Sequence, residues 1–554
     1  MRLPSLLTAA FLAAIPGAAL AAWPVSGIVV GDPFYYHFRA HVSVVPDGVS
    51  GVIATTNPWN MASRVDPQGG ILWSVEQFSA AGLRSPSLGT WVSYANTGDG
   101  AGGVWLATQD TSTSVVAVHY GAGGVLQGGI ATLRDRASVD QWVRAAVPDQ
   151  RGGMFVVWSS FIQPGTEGEI RATHVDAAGH VAGPANGVVV FADPQGTPFV
   201  GAVADGAGGL LVATANAKGA VVQRLDVTLA PRFGAGVQIE ASQVNGGFSV
   251  AATGHGGAFV AWSDGPADAA VMRVQRLDAS GLVASGWPAA GAVAATPTRL
   301  PGSTHVAADG TGGACIAWFD QHETTGEPVY GIRVSRVLAN GTIAHGWEPA
   351  GVEIAEGGYP SLDSPSLLVA DGTGGCYLAW AIPSLFNGGA YAQHLVADGS
   401  AFPGWPAGGL ALNSYTVYGP IYDSPYAIAD GHGGVYVGWD EESYPMTYHT
   451  ARLTRLSPGG PAGDVHLPTP PLSLARIAPN PASGLFTVSA TMPDDRPAKL
   501  EVFDLAGRIS YVGEVRGTGE RGLTLDASTL APGVHWMRLT HPTGIRTARI
   551  IVVR

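Results

Sequence analysis

Short apolar runs alternate with clusters of Gly, Asp, Ser and Pro along most of this chain, and one cluster returns eight times in nearly the same form. Its clearest copy is Asp371-Gly372-Thr373-Gly374-Gly375, followed by the apolar run Cys376 to Trp380. The copies begin at Asp47, Asp99, Asp149, Asp205, Thr253, Asp309, Asp371 and Asp430. Asp-Gly-x-Gly-Gly between two apolar runs is hairpin chemistry. Gly adopts the positive φ of a tight turn, and Asp bonds its own backbone two residues on. The runs are too short and too β-rich for helices. A third run follows with a second turn, as in Val271 to Leu277 and then Asp278-Ala279-Ser280-Gly281. A fourth, Ala292-Val293-Ala294, comes after Gly286-Trp287-Pro288-Ala289-Ala290-Gly291, an element that recurs from Gly346 and from Gly404. Four short strands per roughly fifty residues is the arithmetic of a β-propeller blade. The pattern predicts an all-β propeller of eight blades, with seven as the alternative because the Asp47 copy is the weakest.

The tenth position of the string is Trp in five copies (Trp158, Trp262, Trp318, Trp380, Trp439) and Thr in three (Thr56, Thr108, Thr214). Large aromatics at a fixed strand position read as packing between blades. Ahead of the first repeat stands Trp23-Pro24-Val25-Ser26-Gly27-Ile28-Val29-Val30, which matches the element that introduces a fourth strand. That strand has no blade of its own, and pairing it into the last blade would close the ring and remove an open sheet edge.

If the Asp turns join strands one and two, they gather on one face as short, stereotyped turns. The other face then receives the connections that vary: Asp320 to Glu327, Glu356 to Asp363, Tyr415 to Tyr426 and Asp440 to Tyr448. Variable loops on a rigid scaffold are where binding sits. The candidate binding residues are therefore Asp320, His322, Glu323, Tyr359, Tyr418, Tyr422, Asp440, Glu441, Glu442 and Tyr444. Two carboxylates across a cleft would also suit glycoside hydrolysis, so a polysaccharide hydrolase or lyase is the alternative to a binder of an extracellular glycan or protein.

Composition narrows this choice of partner. With 29 Lys and Arg against 42 Asp and Glu the formal charge is −13, which argues against nucleic acid because little is present to neutralise phosphates. No catalytic residue, cofactor or metal is assigned: the chain has no His-Glu-x-x-His, no Gly-x-Ser-x-Gly, no phosphate loop and no Cys-x-x-Cys. One carboxylate per turn also falls short of the oxygens calcium requires. Arg2, the apolar stretch Leu6 to Ile15 and Ala19-Leu20-Ala21 read as a signal peptide over 1–21. No transmembrane segment is expected after its removal.

The repeats occupy 22–467, and Leu467-Pro468-Thr469-Pro470-Pro471-Leu472 supplies a Pro-rich linker over 468–472. Residues 473–554 differ in kind. They contain Pro479-Asn480-Pro481, then Phe503-Asp504-Leu505-Ala506-Gly507-Arg508, then Leu530-Ala531-Pro532-Gly533-Val534 before a penultimate strand. This segment resembles the C-terminal sorting domain of type IX secretion substrates. The resemblance implies a small Ig-like β-sandwich, the type IX secretion machinery as partner, and a secreted or cell-surface destination.

Two cysteines remain. Cys315 is second after its Gly-Gly and Cys376 first after its own. Successive strand residues point to opposite faces, so the offset aims both thiols into one gap between neighbouring blades, either as a buried free pair or as a disulfide.

Overall fold

The computed structural model describes residues 23–30, 42–56, 61–76, 94–109, 114–134, 140–161, 168–192, 200–216, 218–241, 244–266, 269–298, 302–324, 327–347, 349–356, 367–382, 389–412, 425–443, 448–459, 473–478, 480–492, 497–515, 519–541 and 544–553. The chain divides into two compact units, Met1–Ala462 and Gly463–Arg554.

The first unit is a β-propeller. Its described residues form eight antiparallel sheets, each built from one successive stretch of the chain except the eighth, which also takes Ile28–Val29 from before the first sheet. The first strands of the sheets are Val42–Pro46, Tyr94–Gly98, Asp140–Pro148, Val200–Ala204, Val244–Ala252, Thr304–Ala308, Leu368–Ala370 and Tyr426–Ala429. Each first strand touches the next, and the eighth touches the first, so the first strand of every sheet is its inner one. The Asp47 copy builds a full four-stranded sheet from Val42 to Glu76.

Ring closure follows the reading of Trp23 to Val30. Ile28 and Val29 pair antiparallel with Leu453 and Arg452, adding the outer strand to the eighth sheet. Trp23 then donates its indole N–H to the carbonyl of Pro67 in the first sheet, 2.8 Å away.

The core lies between sheets rather than in one central mass. Trp158, Trp262, Trp318, Trp380 and Trp439 are all fully buried. Each sits in a cluster shared with the preceding sheet, as Trp262 does with Leu211, Ala213 and Val222. Cys315 and Cys376 are both buried free thiols in the single cluster between the sixth and seventh sheets, as their register requires.

The second unit is a two-sheet β-sandwich. One sheet holds Ser473–Ala478, Leu485–Met492 and Gly519–Asp526, and the other Ala498–Phe503, Ile509–Val515, Gly533–His541 and Gly544–Val552. Phe486, Val488, Leu500, Val502, Met537 and Ile550 fill the space between them. The motifs explain themselves locally. Asn480 accepts from the backbone of Ile551 at 2.9 Å and donates to the carbonyl of Arg549 at 3.0 Å, fastening the Pro-Asn-Pro segment to the last strand. Asp504 accepts from the backbone of Ala506 and Arg508 and binds the Arg508 side chain, setting the turn after Phe503.

Candidate binding face

The two ends of the propeller are built differently. At the turn end, Oδ1 of each repeat Asp accepts backbone N–H groups at i+2 and i+4, as Asp309 does from Thr311 and Gly313 at 2.8 Å each. Oδ2 is taken by a cationic or imidazole side chain from strand three. The partners are Arg64 for Asp47, His119 for Asp99, His174 for Asp149, Arg224 for Asp205, Arg336 for Asp309, His394 for Asp371 and Arg455 for Asp430. All seven lie opposite the second residue after Gly-Gly, as Arg336 lies opposite Cys315 and Arg455 opposite Tyr436.

Several of these side chains also reach the next sheet. Arg64 donates to the carbonyl of Ala122, Arg224 to Ala279 and Arg336 to Ala397, each at 3.1 Å. In the fifth sheet the Asp is replaced by Thr253, and Arg276 lies over the Phe259 ring instead. These strand-three residues are the feature that sequence reading passes over. A basic or His residue in each third run is the signal that would have found them.

The electrostatics agree with a sealed face. Burial pushes the Asp47 carboxyl upward, but the backbone donors of Ser50 and Val49 and the Arg64 side chain outweigh it and hold it below the usual carboxylate range. Asp309 is held low against burial by Thr311, Arg336 and Gly313. Asp371 is held at about 2, where burial is opposed chiefly by His394 and Thr373. Groups so fully engaged have little capacity left for a ligand.

The opposite end is built otherwise. The expected loops Asp320 to Glu327 and Asp440 to Tyr448 are largely strand. Ala314–Thr324 pairs with Glu327–Val337 along its whole length, and Val435–Ser443 with Tyr448–Leu456. The charged residues that suggested loops sit where the hairpins outrun the apolar core, and ladder hydrogen bonds need no apolar side chain.

Asp320 is buried and accepts from Nε of Arg333 at 2.8 Å, while Arg333 also binds Glu353 at 2.7 Å. Glu441 is paired with Arg452 across the same hairpin, and Asp440 is half-buried one residue before it. For His322, Glu323 and Glu442 the backbone lies in these strands. Tyr359, Tyr418, Tyr422 and Tyr444 lie outside the described residues. The site residues that fall within the described residues thus belong to two hairpins, of the sixth and eighth sheets, and no metal-binding group of three His, Cys, Asp or Glu occurs among the described residues. No helix among them is long and apolar enough to cross a membrane.

Comparison with solved structures returns β-propellers at low identity. A lectin from Burkholderia pseudomallei is 12% identical, with a TM-score of 0.38, over 67% of this chain and 96% of that one. The polysaccharide lyase Uly1 is 11% identical, with a TM-score of 0.32, over 64% and 88%. The lectin of the fungus Aleuria aurantia, a six-bladed propeller, is 11% identical, with a TM-score of 0.28, over 56% and 95%. No curated protein sequence matches the chain. Residues 476–553 match the family model of the secretion system C-terminal sorting domain. The second unit is therefore a type IX secretion sorting domain, and the protein that carries it is a secreted or cell-surface one.

Proposed function

We propose that the propeller is the cargo of this export route and binds an extracellular glycan or protein ligand on the end opposite the Asp turns. The mature protein begins after a signal peptide over 1–21, the propeller occupies 22–467 as eight blades, and residues 473–554 form an Ig-like sandwich after the Pro-rich linker. The observation that carries the reading is the asymmetry of the two ends. The turn end spends its polar groups on its own backbone and on neighbouring sheets, as Asp309 and Arg336 do. The other end projects long hairpins of unequal length, Ala314–Val337 and Val435–Leu456, and variable extensions on a rigid scaffold suit recognition.

The hydrolase or lyase alternative draws less support. Asp320 and Glu441, two of the carboxylates it could use, are neutralised by Arg333 and Arg452, whereas a general acid needs a raised pKa and a base needs an open lone pair. A glycan array probed with the mature chain, run beside a polymer-degradation assay, tests both. Retention of a glycan without chain shortening is the expected result. Depolymerisation would replace this reading with the enzymatic one.

A further inference from the structure

The inner strand of the third sheet runs on past the point where most of its fellows begin, as that of the fifth also does. In the first, second, fourth and sixth sheets the inner strand begins opposite the tenth position of the repeat, as Val200 lies opposite Thr214 and Thr304 opposite Trp318. In the third, Val143 holds that place opposite Trp158, and Asp140, Gln141 and Trp142 run on beyond it. Trp142 therefore stands past the level where those neighbouring inner strands begin, at the mouth of the ring away from the Asp turns. The residue is 47% exposed, unlike the buried repeat tryptophans.

Next to it the ladder slips. A β-bulge between Val143 and Ala145 takes Arg144 out of register, and bulges of this kind re-aim a side chain. Arg144 is half-buried. Its Nε donates to Oγ of Ser159 at 2.9 Å, and its guanidinium lies 5.3 Å from the centroid of the Trp142 ring. No carboxylate of the described residues pairs with it. Burial alone lowers its pKa, with no opposing anion.

That is costly, because a cation withdrawn from water is ordinarily matched by a carboxylate. It is also unexpected in a chain with 42 acidic residues against 29 basic, where Arg171, Arg273 and Arg333 each have an acidic partner.

The gap that receives Arg144 is one of three that lack the repeat tryptophan. Leu210 and Val212 pack against Phe155 and Val157 of the third sheet, so strand alternation turns Thr214 the same way. Thr214 occupies the position that is Trp in five repeats. Its hydroxyl is buried without a hydrogen-bond partner. Where another copy would plug the gap with indole, this one leaves a hydroxyl on the wall facing the third sheet.

We infer that Trp142 and Arg144 form a subsite for a negatively charged sugar unit, a uronate, at the inner mouth between the third and fourth sheets. The exposed indole offers a flat apolar face for the C–H face of the sugar ring. The two terminal guanidinium nitrogens, which have no hydrogen-bond or ion-pair partner among the described residues, present a planar fork to a carboxylate. This rests on the binding reading above and names the ligand class within it.

The test is calorimetric titration of the mature full-length protein with tetragalacturonate and with its methyl ester. Loss of the charge should weaken binding about tenfold or more, the scale of a charge-assisted hydrogen bond. Arg144→Gln should erase the preference for the acid form. Arg144→Lys should retain part of it, and Trp142→Ala should weaken both forms. Melting curves of each variant report folding, and the ester on the unaltered protein keeps the test open if Arg144→Gln fails to fold. Equal affinity for acid and ester, or full affinity in a folded Arg144→Gln, overturns the inference. If the glycan array shows binding to other sugars but not to tetragalacturonate, the subsite falls while the binding face stands.

Discussion

Gly27 and Trp439 meet across nearly the full length of the first unit: a Cβ added to Gly27 would lie 2.7 Å from Cη2 of the Trp439 ring. The same relation recurs within single sheets, between Gly187 and Trp158 and between Gly291 and Trp262, each at 2.6 Å. These glycines all have positive φ, +68° at Gly27. The residue before the first repeat therefore completes the eighth sheet as its counterparts complete their own.

Gly27→Ala should accordingly destabilise the propeller by about 2–4 kcal/mol, combining left-handed backbone strain with an overpacked contact. Urea unfolding measures it. In a Trp439→Phe background the penalty should shrink, because the ring edge that collides is gone. A neutral Gly27→Ala in the unaltered protein would mean the contact is not made. Deleting residues 23–30 should cost several kcal/mol by opening the sheet edge.

The closure was legible because turn chemistry and strand length are local: Asp-Gly-x-Gly-Gly fixes a hairpin wherever it occurs, and a spare Trp-Pro-x-x-Gly element demands a home. The faces of Cys315 and Cys376 were legible for the same reason, since a one-residue offset inverts a side chain. The strand-three Arg and His residues were not, because their spacing from each Asp varies with the length of the intervening hairpin. Only the ladder register, which places Arg64 opposite Ile53 and His394 opposite Tyr377, makes them equivalent. Arg144 was hidden by a bulge, which no periodic pattern reports.

Removing residues 473–554 should leave a folded propeller that stays in the periplasm of a host with the type IX machinery. Fractionation and a melting curve measure the two halves of the claim. A truncated protein that still reaches the medium would show that the sorting domain is not needed for export of this cargo.

Glu441 separates scaffold from recognition on the hairpin of the eighth sheet. Its partner Arg452 is largely buried, with 25% side-chain exposure against 12% for Glu441. Glu441→Ala strands that guanidinium and should cost about 1–3 kcal/mol, the price of a buried polar group left unpaired. Unchanged thermal stability with altered ligand binding would instead make Glu441 a recognition residue.

Cys315 and Cys376 should titrate as two free thiols in the denatured, unreduced mature protein and as none in the native one. The adjacent Cys376 thiol and burial together raise the Cys315 pKa well above its ordinary value, which keeps the thiolate, the reacting species, scarce. Absence of free thiols after denaturation would mean that the exported protein carries a bond between the sixth and seventh sheets.

Asp371 provides the test in pH. Its ordinary pKa is 3.8, and in the folded protein it is about 2, where burial, which raises it, is outweighed by His394, Thr373 and Gly375. A carboxyl depressed on folding contributes its stability in full above the unfolded value and loses it as pH falls through the folded one. The window is therefore pH 4 down to 2, and the contribution at neutral pH is on the order of 2 kcal/mol, since the side chain is only 6% exposed. The parent protein should lose stability on acidification through that window, steepened by Asp47, Asp99 and Asp309, whose pKa values are also lowered. Asp371→Asn should be less stable at pH 7 and show a shallower decline below pH 4. Urea midpoints at fixed ionic strength measure both slopes, and parallel slopes would show that the Asp371 carboxylate contributes nothing specific to the seventh sheet's turn.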